Sequence, residues 1–150
     1  MKAQFLILFS TIITWYVKGT LWMNWAIVKH SFESNEIARN DFLIFFQKNK
    51  STLINIIFIP LALVVICPFI LVLVHPDTVP MGMLYLTVLI DILLVYFVYK
   101  FFIPVIFHLK QEDTLNEKLK NLSKTLLQIN LILTFVGICW MYMLWKTIVS

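Results

Sequence analysis

Charged residues are scarce in this sequence of 150 residues. Asp, Glu, Lys and Arg together make up 13% of it, which is about half of their share in ordinary soluble domains. Hydrophobic residues make up 61%, and the mean hydropathy is +0.89. This balance excludes an ordinary soluble domain and predicts an integral membrane protein whose surroundings are the lipid bilayer.

Cysteines, glycines and catalytic motifs are also few. Cys67 and Cys139 match no metal or redox spacing, so we interpret them as small core residues. The three glycines form no pair spaced four residues apart, which argues against a glycophorin-like dimer face. Nucleophilic triads, phosphate-binding loops and basic nucleic-acid surfaces are absent from the sequence. No catalytic residue and no nucleic-acid partner is therefore predicted.

Four apolar segments are long enough to cross a bilayer, since a span needs about 20 apolar residues. They cover about residues 3–28, 52–74, 81–107 and 125–148. Because lipid offers no partners to backbone groups, such spans are helices. We predict an all-α, polytopic protein in which residues 1–150 form one four-helix transmembrane bundle. No small-x-small cleavage pattern follows the first span, so we expect it to be retained.

Basic residues orient this bundle. The connections Lys29–Lys50 and Lys110–Lys124 each hold four Lys or Arg residues, whereas the turn His75–Pro80 holds none. Positive charge near membrane spans favours the cytoplasmic side. We therefore expect both long connections to be cytoplasmic and both termini to lie outside.

A short cytoplasmic helical extension is predicted from the composition of those connections. Thr114 and Glu117 form a capping box that starts the fourth helix near Leu115. An apolar stripe follows at Leu115, Leu119, Leu122 and Leu126, and one face of Asp41–Lys50 holds Phe42, Phe45 and Phe46. These two faces would pack together if Asp41–Lys50 continues the second helix. The alternative is that the phenylalanine segment lies flat in the lipid interface.

A polar and aromatic stripe runs along the first helix. Its members recur at spacings of three and four residues: Thr11, Trp15, Lys18, Trp22, Trp25 and Lys29. We expect this stripe to face protein or a cavity, with Trp15 and Trp22 as cavity aromatics, because both lie too deep to be interfacial anchors.

Polar residues in the other spans complete the predicted interior. They are Thr87 and Asp91 in the third span and Asn130 and Thr134 in the fourth. A charge at this depth costs about 3 kcal/mol, and pairing would remove much of that cost. We therefore predict that Lys18 pairs with Asp91, either as a structural clasp or as a gate or proton-linked site.

Two histidines are candidate ligands. His30 ends the first helix and His108 the third, both at the expected cytoplasmic edge. Together they could hold a haem iron or, with Glu33, a divalent cation. The alternative is that both are ordinary interfacial residues.

The segment TWYVKGTLWMNWAIVKH resembles the first helix of the four-helix membrane protoporphyrinogen oxidases, a haem-pathway family. The resemblance lies in Thr14-Trp15, Gly19, Trp22 and the closing Val28-Lys29-His30. It implies a haem- or porphyrin-handling oxidoreductase. The family's first-helix histidine has no counterpart in Gln4–Ser10, and the third helix shows Asp91 and Lys100 in place of the family's lysine and histidine arrangement, so the activity is not transferred.

Three functions stay open at this point. The preferred one is a non-enzymatic channel, transporter or accessory subunit that forms a homo-oligomer or binds a partner membrane protein, with no cofactor. The second is the haem- or porphyrin-handling oxidoreductase. The third is a structural or assembly subunit that docks a partner through its cytoplasmic helices.

Overall fold

Four long helices make up the chain. A computed structural model describes residues 2–33, 36–74, 76–104 and 115–149, and no strand occurs among them. The helices are α1 Lys2–Glu33, α2 Glu36–Val74, α3 Met81–Phe97 and α4 Leu115–Val149. Each contains a segment long and apolar enough to cross a membrane, namely Ala3–His30, Asn55–Val74, Met81–Phe102 and Lys120–Val149. The predicted all-α architecture with four such helices is confirmed.

Prolines mark irregular places in these helices. Pro60 and Pro68 lie inside α2, which nevertheless continues to Val74. After α3 the chain forms a π-helical turn over Val98–Phe102. Pro104 lies two residues after the end of this turn, and a proline cannot donate a backbone hydrogen bond to the carbonyl four residues before it. The wider turn upstream of Pro104 is a common response of a helix to such a lost bond.

The helices form a four-membered ring in which each contacts two neighbours. Within the described residues, α1 packs on α2 and α4, and α3 packs on α2 and α4. Helices α1 and α4 are antiparallel, because Gln4 Nε2 donates a hydrogen bond to the carbonyl of Thr147 (3.1 Å) while Trp15 lies against Gly137. Helices α1 and α3 therefore occupy opposite corners of the ring.

Apolar side chains fill the inside of the ring and also cover its outside. The core includes the fully buried residues Ile7, Val64, Leu84, Leu94, Leu133 and Trp140. On the outside, Ile12, Ile59 and Leu73 are 60%, 62% and 85% exposed. An apolar outer surface of this extent is unusual for a soluble monomer and is typical of a protein that meets lipid or another protein.

The predicted helical extension is present in the backbone. Helix α2 begins at Glu36, so Asp41–Lys50 is helical and continuous with the second span. Phe45 is 58% exposed, whereas Leu122 on α4 is buried. The side chains of Phe42, Phe46 and Leu119, together with Thr114, lie outside the described part of the chain, and so does the predicted seam between them.

Replacing Leu122 by aspartate is expected to destabilise the bundle. Leu122 is 2% exposed, and an unpaired carboxylate there would lower the free energy of unfolding by about 3 kcal/mol or more. Asn121→Asp is the matched control, because it adds the same charge at the neighbouring exposed position. Denaturant titration in detergent micelles measures both variants. Equal stability of the two would show that Leu122 does not pack in the folded protein.

Candidate functional site

Short polar side chains line the inside of the ring on three helices. Helix α1 contributes Ser10, Thr11 and Thr14, helix α3 contributes Thr87 and Asp91, and helix α4 contributes Asn130. All are buried, and Ser10, Thr14, Thr87 and Asp91 have no exposed surface at all. The prediction that Asp91, Thr87 and Asn130 point into the bundle agrees with their burial.

The hydroxyl and amide groups in this set find partners in their own helices. Ser10 Oγ donates to the carbonyl of Leu6 at 2.7 Å, and Thr87 Oγ1 donates to that of Met83 at 2.8 Å. Asn130 Nδ2 donates in the same way to Leu126 at 3.0 Å. Each acceptor lies one helical turn before its donor, which is the usual way for such residues to satisfy themselves inside a helix.

Asp91 is the one member of this set whose side chain has no hydrogen bond to its own helix. Its side chain is 0% exposed, and neither carboxylate oxygen has a hydrogen-bond partner among the described protein atoms. An ionised carboxylate only accepts hydrogen bonds, so it cannot donate to the carbonyl of the preceding turn as its neighbours do. A buried polar group without a partner is rare, and burial without a partner is far more unfavourable for an ionised carboxylate than for a neutral amide or indole.

The surroundings of Asp91 include a thiol and a hydroxyl at the contact between α3 and α4. Cys139 on α4 lies near the Thr87 side chain and near Asp91. Cys139 is buried and free. The sequence alone predicts only a core role for Cys139, because nothing in it indicates that α4 turns this residue toward Thr87.

The predicted pair between Lys18 and Asp91 is wrong. Lys18 Nζ lies over the rings of Trp15 and Trp22, at 5.1 and 5.9 Å from their centroids. Asp91 points into the ring of helices, whereas Lys18 is partly exposed on the flank of α1. The two residues are on opposite corners of the ring, which explains why they do not meet.

Trp15 and Trp22 also lie outside the interior. They are 37% and 48% exposed, so the prediction that they line a cavity is corrected. Trp15 lies across Gly137 so closely that a Cβ added to this glycine would be 3.1 Å from the indole. The face of α1 that is buried holds instead Ile7, Ser10, Thr14, Val17 and Leu21.

Asn130 and Thr134 share one face of α4, as predicted. Thr134 is only partly buried, and its hydroxyl donates to the Asn130 carbonyl at 2.8 Å. Asn130 Oδ1 is buried without a hydrogen-bond partner in the described residues, as is Nε1 of Trp140. Ser10 and Thr14 were not among the predicted interior residues, although their spacing of four residues along α1 matches the buried face.

The structure does not describe the predicted ligand site at His30 and His108. His30 is exposed at the end of α1, and His108 lies outside the described residues. Glu33 instead approaches Lys29 at 4.0 Å. Within the described ranges no group of three His, Cys, Asp or Glu side chains could hold a metal ion.

Comparisons with protein-family models, with curated proteins and with solved structures find no match for this chain. Its similarity to the protoporphyrinogen oxidases stays a prediction from the first helix.

A double-mutant cycle tests the separation of Lys18 and Asp91. Asp91→Asn should raise the free energy of unfolding at neutral pH by about 1–3 kcal/mol, because an amide can donate to the preceding turn without first binding a proton, as the carboxyl group must. Asn130 already makes this bond in α4. For Lys18→Met combined with Asp91→Asn, the effects should add to within about 0.5 kcal/mol.

Denaturant unfolding of the four proteins in the same micelles gives the coupling energy. A coupling well above 1 kcal/mol (on the order of that found for contacting residues) would show that the two side chains interact.

Proposed function

We propose that the protein is an integral, multi-pass membrane protein of the transporter or channel class, and that Asp91 binds and releases a proton in its interior. The four apolar helices and the apolar outer surface support the membrane setting. The positive-inside pattern supports an orientation with both long connections in the cytoplasm.

The burial of Asp91 without a partner carries this proposal. An ionised carboxylate in an apolar interior is unfavourable by several kcal/mol or more unless something compensates its charge. A proton compensates it directly and also provides the missing hydrogen-bond donor. Acidic residues inside membrane spans commonly mark proton pathways. The chemistry of the site is therefore proton binding and release, with no covalent step.

A proton fits this place better than a metal ion does. Calcium takes six to eight oxygen ligands and magnesium about six. The polar groups shown near Asp91 are the hydroxyl of Thr87 and the thiol of Cys139. A thiol is a poor ligand for such hard cations. One carboxyl group, by contrast, is sufficient to hold a proton.

The positions of other polar residues indicate a path for the proton to and from Asp91. Thr87 lies one turn before Asp91 on α3, toward the end of the bundle where Gln4 meets Thr147, and Cys139 lies near Thr87. Asn130 lies on the opposite side of Asp91 along α4, since α3 and α4 run antiparallel between the same two ends. We propose that a proton reaches Asp91 past Thr87 and leaves it past Asn130, or moves in reverse.

Proton flux in reconstituted vesicles tests the proposal. The full-length protein in phosphatidylcholine vesicles that contain a pH-sensitive dye should acidify or alkalinise the lumen when a potassium diffusion potential is applied. Asp91→Asn should abolish this flux while the protein stays folded. Asp77→Asn, at an exposed position in the turn before α3, should leave it unchanged.

Equal flux through the parent and Asp91→Asn, or none above protein-free vesicles in either, would contradict the proposal. The haem-handling alternative has a different signature. A Soret band in the visible spectrum of the purified protein would favour that alternative over proton transport.

A further inference from the structure

In the described part of the chain, three lysines lie on aromatic rings at the end of a candidate span. Lys29 Nζ lies 5.2 Å from the Trp25 centroid, and Lys146 Nζ lies 5.3 Å from that of Trp145. Lys100 similarly lies over Tyr96 and donates a hydrogen bond to its hydroxyl at 2.9 Å. At the end of a span, the ammonium group reaches water while the stem covers apolar surface.

Lys18 has the same aromatic packing but a different depth. It lies fifteen residues after the start and twelve residues before the end of the candidate span Ala3–His30. Twelve helical residues measure about 18 Å, which is farther than a lysine side chain extends. The ammonium group of Lys18 therefore cannot reach the water at either end of the span.

The contacts of Lys18 within the chain leave its charge without a counter-ion. A lysine at the centre of a span is unfavourable, because the lipid interior does not solvate its charge. The two indoles offset part of this cost through cation–π contacts, but neither carries a negative charge. Within the described residues, Lys18 makes neither a hydrogen bond nor an ion pair in addition to these ring contacts. A carboxylate on a neighbouring helix would supply what is missing.

A second copy of this chain cannot supply that carboxylate. Asp91 is the sole acidic residue of the sequence inside the four predicted spans. It has no exposed surface and points into the ring of helices. Glu33, Asp77 and Glu117 are exposed, but they lie outside the middle of any span.

We infer that the flank of α1 formed by Trp15, Lys18 and Trp22 binds a transmembrane helix of a different protein, and that this helix carries Asp or Glu midway along its span. The flank combines partly exposed indoles with a single positive charge. Aromatic residues are enriched at the centres of protein interfaces, and a buried charge there selects a partner of opposite sign. This inference rests on the proposed membrane insertion but is independent of proton binding by Asp91.

Model transmembrane peptides test the inference. The probe is a single-span leucine-rich peptide with one central Glu, and its control carries Gln at the same position. Energy transfer between the labelled peptide and the labelled full-length protein in phosphatidylcholine vesicles measures association. The Glu peptide should bind about tenfold more tightly than the Gln peptide.

Two lysine variants test whether Lys18 is responsible for the preference for the Glu peptide. Lys18→Met should reduce binding of the Glu peptide to the level of the Gln peptide, whereas Lys146→Met should leave the tenfold preference intact. Lys146 is the matched control because it packs on Trp145 and Tyr142 at the end of α4. Equal binding of both peptides to the parent protein, or a preference that survives Lys18→Met, would overturn the inference.

A cross-linking measurement separates a second copy from a different protein. Cysteine introduced at Trp22 should form disulfide-linked dimers no faster than cysteine introduced at Ile59, an exposed residue on α2. Faster cross-linking at Trp22 would assign the flank to a second copy of this chain and would overturn the inference.

Discussion

A polar side chain inside an apolar bundle needs a hydrogen-bond partner. In this protein most of the described buried polar side chains find that partner in the backbone of their own helix. Ser10, Thr14, Thr87 and Asn130 each donate to the carbonyl one turn earlier. The helices consequently need few polar contacts between them and can pack through apolar side chains. This local solution requires a donor hydrogen, and an ionised carboxylate has none. Asp91 is for that reason the residue on which the functional account depends.

The two charged groups in the middle of the candidate spans are separated by the arrangement of the helices. Asp91 faces the interior of the ring, whereas Lys18 lies on its flank. Because α1 and α3 occupy opposite corners, neither charge can neutralise the other. Each therefore needs a compensating group from elsewhere. We propose a proton for Asp91 and a partner carboxylate for Lys18, which gives the bundle an internal site and an external surface with distinct chemistry.

The sequence was sufficient to predict the helices and several interior residues. Long apolar runs indicate spans directly. The phenylalanine face of Asp41–Lys50 predicted either a continuation of the second helix, which the structure shows, or a segment lying flat in the lipid interface. The rotation of α1 was not predictable, because two of its faces have polar residues at helical spacing. One contains Lys18 and the tryptophans, and the other contains Ser10 and Thr14. Which face turns inward depends on the neighbours of α1, and the sequence of one helix does not contain that information.

Infrared difference spectroscopy of the parent protein against Asp91→Asn tests the central claim most directly. The claim is that Asp91 holds a proton in the resting protein. At neutral pH the account predicts a carbonyl stretching band of a protonated carboxylic acid that shifts in deuterium oxide and disappears in Asp91→Asn. A spectrum in which Asp91→Asn removes only the bands of an ionised carboxylate would contradict it.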